Sequence, residues 1–224
     1  MESSYTYPPF QAALAGMKFT TMLEIGSLHG LDAIEVKKVY GIERVITIEC
    51  NPECIEICKR NFAAQEGFTL VEVAAWNEDA VIPFYRVTES FDTAGNPTQN
   101  IGASSCFTSN GSWPFERYKQ ERIDVPARRL DGVLSELGGP VVDMICMDAQ
   151  GAELNALRGL GKYLDGVQAI ITELEIKPMY EGQSLFADVC KFLHTKGFVL
   201  KEKHQWAATA GDFLFIRQGL PIPS

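Results

Sequence analysis

The chain has 224 residues, 46% hydrophobic and 22% charged, with a formal net charge of −9. That length fits one domain, able to bury a core without disulfide or metal staples. The acidic balance repels phosphate backbones and makes nucleic acid an unexpected partner.

In chain order, Met1 to Phe10 is polar and aromatic, with neither the basic start nor the apolar stretch of a secretory signal. No apolar run reaches the ~20 residues of a membrane-spanning helix, so no membrane association is expected. Thr21 to Ile25 reads as a first strand and Leu31 to Tyr40 as a helix. Arg44 to Ile48 is a second strand, and Asn51-Pro52 starts a second helix with a good N-cap and a proline at the first helical position. Phe68 to Trp76 reads as a third strand and Val81 to Val87 as a short one. Residues 88 to about 120 look irregular, yet Phe91, Phe107, Trp113, Phe115 and Tyr118 make them too aromatic for disorder. The span 88–122 is therefore expected to be a substrate-side insert.

Regular structure resumes near Ile123, followed by a helix from Leu130 to Leu137. Val141 to Met147 is wholly apolar but for Asp143 and reads as a central strand. A helix from Ala152 to Leu164, a strand from Ala169 to Leu174 and a helix from Phe186 to Lys196 come next. Phe198 to Glu202 and Asp212 to Arg217 look like a closing antiparallel pair. Strands alternating with helices indicate a parallel α/β sheet in one domain over 1–224, with 1–20 as an N-terminal segment. Cysteines 50, 54, 58, 106, 146 and 190 form no paired ligand spacing, and histidines 29, 194 and 204 lie apart. They read as small buried residues of a reducing, cytoplasmic compartment, and no metal is expected. Lys37-Lys38, Lys59-Arg60 and Arg128-Arg129 read as solvated faces.

The first strand ends Glu24-x-Gly26-x-x-x-Gly30 and a helix follows at once. Gly26 allows a tight turn and close approach of a ligand, and Gly30 lets the helix start pack near the strand. Open α/β sheets bind ligands at such a place. The dinucleotide fingerprint G-x-G-x-x-G is absent, because Ser27-Leu28-His29 separate the two glycines. Glu24 would repel a pyrophosphate but can pair with an α-amino group. Glu49, at the end of the second strand, can accept from both ribose hydroxyls. Together these match S-adenosylmethionine better than NAD. Ser27, Cys50 and Ala75 fall on the same site, and Trp76 could cover an adenine face.

A second constellation, Asp148-Ala149-Gln150-Gly151-Ala152-Glu153, leaves the tip of the apolar strand. Asp148 points toward the cleft lined by the first turn, and Glu153 suits the dipole of the following helix. Here the chain resembles the FkbM family of S-adenosylmethionine-dependent methyltransferases. The carrying segments are the turn 23–30, Ile48 to Pro52, Leu130-Asp131, Met147 to Glu153, Leu157-Arg158-Gly159, Ile171 to Glu173 and the stretch from Tyr180 to Phe198. The resemblance covers about residues 20 to 217. It implies a class I methyltransferase Rossmann-like fold: a seven-stranded, mostly parallel sheet with one antiparallel strand and helices on both faces. It also implies O-methylation in most cases. The chain departs from the family pattern at Ser27-Leu28-His29, at Cys146 where a lysine is usual, and at Gln150 where a glutamate is usual.

Methyl transfer to a hydroxyl needs alignment and proton removal. Asp148 is the first candidate for that base, His29 in the cofactor turn the second, and His204 the third; Asp148 also borders the cofactor. A carboxylate acceptor would need no base. Ser104, Ser105, Gln150 and Glu173 are placed to hydrogen-bond a small-molecule or peptide acceptor. Asp148, Glu173 and Glu175 lack the spacing of a magnesium site. Two other classes stay open: an NAD-dependent oxidoreductase, which would need a phosphate cradle, and a non-catalytic module with a degenerate cofactor site.

Overall fold

A computed structural model describes residues 3–219; Met1, Glu2 and residues 220–224 of the assigned span lie outside it. Ser4–Thr6 forms one 3₁₀ turn, and the helix α1 (Pro8–Ala13) follows with prolines in its first turn. The α/β alternation then begins: β1 (Thr21–Ile25), α2 (Leu31–Tyr40), β2 (Arg44–Glu49), α3 (Pro52–Phe62) and β3 (Phe68–Glu72). Asn51 caps α3 by accepting from the Glu53 N–H.

Next come β4 (Ala74–Trp76), β5 (Ala80–Asp92), β6 (Pro97–Thr98), β7 (Glu116–Arg129) and α4 (Leu130–Glu136). The chain closes with β8 (Met144–Met147), α5 (Glu153–Gly159), β9 (Ala169–Glu175), α6 (Phe186–Thr195), β10 (Phe198–His204) and β11 (Ala210–Arg217).

Seven strands form one sheet in the order β10-β11-β9-β8-β1-β2-β3, and β11 alone runs antiparallel to the strands beside it. This is the expected class I methyltransferase sheet. Side chains sort onto its two faces by strict alternation. Leu23, Ile25, Ile145, Met147, Ile170 and Phe213 pack with Leu134, Leu157 and Leu193 on one face. Met22, Val45, Met144, Cys146, Ile171 and Leu214 pack with Phe10, Leu14 and Val36 on the other. The N-terminal segment therefore covers that second face. No helix among the described residues is long and apolar enough to cross a membrane.

Three expectations need correction. The stretch read as one strand from Phe68 to Trp76 changes partners at Val73: β3 pairs with β2, whereas β4 pairs with β7 in a second sheet of order β4-β7-β5-β6. The segment 88–120 is not irregular at its ends. β5 runs on to Asp92 and pairs with a β7 that starts at Glu116, while 93–115 between them carries the short β6 and a 3₁₀ turn at Ile101–Ala103. A register shift between Val87 and Glu89 breaks the alternation there. Finally, β8 starts at Met144, because Asp143 turns its carboxylate to the N–H groups of Thr20 and Thr21 and Val141 is exposed.

Candidate active site

The sheet's register places the candidate residues in one row. Asp212 on β11 stands directly opposite Glu173 on β9 and His204 on β10. Met147 pairs with Thr172 and with Ile25, and Ile25 with Ile48, so Asp148, Gly26 and Glu49 continue the row one residue past those pairs. The Gly26 N–H donates to the Ile48 carbonyl and the Asp148 N–H to the Ile25 carbonyl, each at 2.9 Å. Two motifs far apart in sequence thus lie side by side at the carboxyl end of the sheet, where such sheets bind ligands.

Gly26 has φ +81°, and a Cβ there would sit 1.8 Å from the Asp148 carbonyl oxygen. Only glycine fits, both for its backbone angle and for the packing of turn against turn. Glu24 is 1% exposed and accepts the Ser27 hydroxyl, while burial pushes its carboxyl well above the usual range. It does not line the cleft. Its carboxylate holds the turn from beneath through the Ser27 hydroxyl. Ser27, at 2% exposure, is the other half of that brace. Gly30 backs onto the Phe62 ring, where a Cβ would clash.

Glu49 lines the cleft. Its Oε2 accepts from Leu28 N–H, and its Oε1 accepts from both Cys50 and Asn51 N–H, all at 2.8 Å. Burial raises its pKa and these backbone N–H groups pull it back down. The same bonds shape the turn, since Leu28 takes a left-handed φ of +50° to reach the carboxylate.

The cleft has a cavity volume of about 90 Å³ and is partly open to solvent, which is small beside the ~300–1,000 Å³ of most small-molecule sites. Its walls include Gly26, Leu28, Glu49, Cys50, Ala74, Ala75, Phe84, Cys106, Asp148 and Gln150. Trp76 is not among them. It lies with its ring 5.9 Å from Phe107, and the aromatic ring in the cleft wall is that of Phe84. Asn51, also in the wall, is 2% exposed and leaves its Nδ2 without a partner. A buried amide donor facing a cleft suits a ligand that offers acceptors. Phe84, Cys106 and Asn51 were not singled out for the site from sequence, as they come from a hairpin strand, a loop and a helix cap.

On the other side of the row, Asp148 is half-buried and accepts at Oδ1 from Gln150 Nε2 (2.6 Å). Burial pushes its pKa up to about 6, with Gln150 opposing and Asp212 adding to the rise. Gln150, at φ +49°, in turn accepts the Tyr180 hydroxyl at Oε1 (2.6 Å). Ser105 is 1% exposed and donates to the Gln150 carbonyl, and Ser104 donates to Ile101 O and accepts from Val87 N–H. Both serines anchor the insert, and each hydroxyl proton is used within the chain. Ser104 still lines the cleft.

The two histidines do not join Asp148. His29 lines a separate cleft with Glu53, Arg86 and Asn100. His204 lies three strand positions from Asp148 in the sheet order, about 14 Å at the usual strand spacing, and stacks on Tyr7 at 4.1 Å. The structure thus brings neither histidine to the Asp148 carboxylate. The N-terminal segment, by contrast, reaches the site unforeseen. Ser4 donates to Asp212 Oδ1 (3.0 Å), and Tyr5 is buried, its pKa raised by that burial and by the charge of Asp148. Its only sequence signal was the density of Tyr and Phe before residue 11.

Fold and site together define the class: a class I methyltransferase fold with an acid-and-glycine cofactor turn. The Methyltransferase FkbM domain model matches residues 24–200. The chain belongs to the FkbM methyltransferase family.

The chain is 28% identical over 171 residues to 2-O-methyltransferase NoeI of Sinorhizobium fredii, covering 72% of this chain and 66% of NoeI. It is 22% identical over 203 residues to Methyltransferase sdnD of Sordaria araneosa, covering 83% and 76% of the two chains. Among solved structures, Methyltransferase FkbM from Methylobacillus flagellatus KT superposes with a TM-score of 0.60 at 14% identity, over 96% of this chain and 48% of that one. Magnesium protoporphyrin IX methyltransferase (ChlM) from Synechocystis PCC 6803, solved with S-adenosylmethionine bound, superposes at 0.51 with 10% identity, over 93% and 74%. The chain thus spans about half of the first of these structures and just under two thirds of NoeI.

Proposed function

We propose that the protein is an S-adenosylmethionine-dependent O-methyltransferase acting on a hydroxyl or carboxylate of a small molecule or peptide. The observation that carries this reading is the juxtaposition of Asp148 with Gly26 and Glu49 in one row, with Asp148 lining the cleft. The residues fit the cofactor. Gly26 gives close backbone approach, Glu49 keeps lone pairs for ribose hydroxyls, Ala74, Ala75 and Phe84 offer a small apolar slot, and Asn51 Nδ2 awaits an acceptor.

When bound, S-adenosylmethionine supplies an electrophilic methyl group on its sulfonium. The chain's part is alignment and proton removal. Asp148 has one oxygen held by Gln150, and Oδ2 makes no hydrogen bond to the described residues. With a pKa near 6 it is largely ionised at neutral pH yet basic enough to accept a hydroxyl proton. Gln150, itself held by Tyr180, fixes the direction of that carboxylate.

Calorimetry with S-adenosylhomocysteine, followed by a turnover assay over hydroxyl acceptors, tests this. Asp148→Asn is expected to lower turnover by roughly 10²- to 10⁴-fold while S-adenosylhomocysteine still binds. Unchanged turnover removes Asp148 as base; absence of S-adenosylhomocysteine binding removes the cofactor.

A further inference from the structure

Removing one hydroxyl proton requires one base, yet the acceptor side of the row gathers Asp148, Glu173, Glu175 and Asp212, with Glu153 joining from the start of α5. Among the described residues none of these five makes an ion pair with lysine or arginine. The one basic group within 4 Å is His204, its Nδ1 3.8 Å from Asp212 Oδ2 and without a hydrogen bond.

Glu173 and Asp212 stand directly opposite each other on neighbouring antiparallel strands. Like charges in that position are destabilising. The Glu173 carboxylate has no hydrogen-bond partner among the described residues, and Glu153 adds an independent sign. It is 1% exposed; its Oε1 accepts from Ala149 and Gly151 N–H, while its buried Oε2, next to Glu175, has no partner. Carboxylates gathered in a buried or half-buried cluster without a countercharge are costly unless they take up protons or something cationic completes them. No three of the described side chains converge as metal ligands.

Aromatic rings edge the same cluster. Trp206 donates its Nε1 to Asp212 Oδ2 (3.0 Å) and stays 42% exposed. Trp113 meets it edge-on at 6.1 Å, and Phe115, 53% exposed, meets Trp113 at 5.3 Å. Carboxylates beside exposed ring faces recognise ammonium and guanidinium groups, through charge and through the ring quadrupole.

We infer that the acceptor carries an organic cation, an ammonium or guanidinium, seated between Glu173 and Asp212 with Trp206 against it. This rests on the methyltransferase reading above and narrows its substrate class. A neutral acceptor would leave the opposed carboxylates without a countercharge.

Calorimetry on the full chain saturated with S-adenosylhomocysteine tests it, using phenethylamine, agmatine and an N- and C-blocked arginine peptide, with 2-phenylethanol as the neutral control. Saturable binding of a cation but not of the alcohol is expected, weakened roughly tenfold or more by Glu173→Gln and by Asp212→Asn, with S-adenosylhomocysteine affinity within about threefold of the parent. Preference between agmatine and the peptide tells a small-molecule from a peptide acceptor. No cation binding, equal binding of the alcohol, or indifference to both substitutions overturns the inference. If S-adenosylhomocysteine itself fails to bind, the methyltransferase reading falls first.

Discussion

On the cofactor side of the row, Glu49 receives three backbone N–H groups; on the acceptor side, Glu173 receives none and faces Asp212. Both residues follow apolar strand segments and both carry raised pKa values, chiefly through burial. The difference is who completes the site. Around Glu49 the protein has already supplied the donors, so the turn is organised before a ligand arrives. Around Glu173 the donors are lacking, and a ligand would provide them. Preorganisation on one side and incompleteness on the other suit an enzyme whose cofactor is common to a fold and whose acceptor is its own.

The sharpest way to break this contrast is Gly26→Ala. The added methyl meets the Asp148 carbonyl at 1.8 Å and the backbone angle is one L-residues avoid. Turn and β8 tip must separate, at a cost of about 3 kcal/mol or more, with loss of S-adenosylhomocysteine binding. Urea unfolding alongside calorimetry reads both, and an unchanged affinity would mean the turn was not preorganised by that contact. Next in size is Glu49→Gln. An amide NH₂ replaces one carboxylate oxygen and opposes either Leu28 N–H or the Cys50 and Asn51 pair. A loss of about 2 kcal/mol in stability is expected, together with weaker cofactor binding. If Glu173→Gln destabilises as much, the two sides do not differ as described.

These residues differ also in how far the sequence showed them. Gly26, Glu49 and Asp148 were visible because each follows an apolar run at a strand's carboxyl end, a local pattern. Their adjacency was not, since it depends on the pairing of β1 with both β2 and β8. Asp212 escaped notice as an acid opening an apolar strand; its partner Glu173 lies 39 residues earlier and only register joins them. The far end of the β5–β7 hairpin, within 88 to about 120, was read as irregular because a bulge interrupts β5 and much of β7 alternates between half-buried and exposed positions. Periodicity detects burial, and a ribbon standing off the core has little of it. Trp76 misled for the converse reason: strand pattern continues through Val73 while the pairing partner changes.

The smallest effect is the most specific to the acceptor side. Burial pushes Asp148 and Asp212 up to about 6 and Glu175 up to about 7. For an acid whose folded-state pKa lies above its unfolded value, folding favours the protonated form. That stabilisation is full below the unfolded pKa of about 4 and is lost as pH rises through 6 to 7. Asp92 and Asp131 are shifted the other way and act only below about pH 4, outside this window. The ligand-free protein should therefore melt a few degrees higher at pH 5.5 than at pH 8. Asp212→Asn, which cannot ionise, should raise Tm at pH 8 and flatten the slope, since Trp206 can still donate to its amide oxygen while the Ser4 hydroxyl turns to accept from its NH₂. Scanning calorimetry at the two pH values decides. A Tm that climbs with pH, or an Asp212→Asn variant less stable at pH 8 than the parent, would show that the acceptor-side carboxylates are already compensated within the chain, and the contrast with Glu49 would disappear.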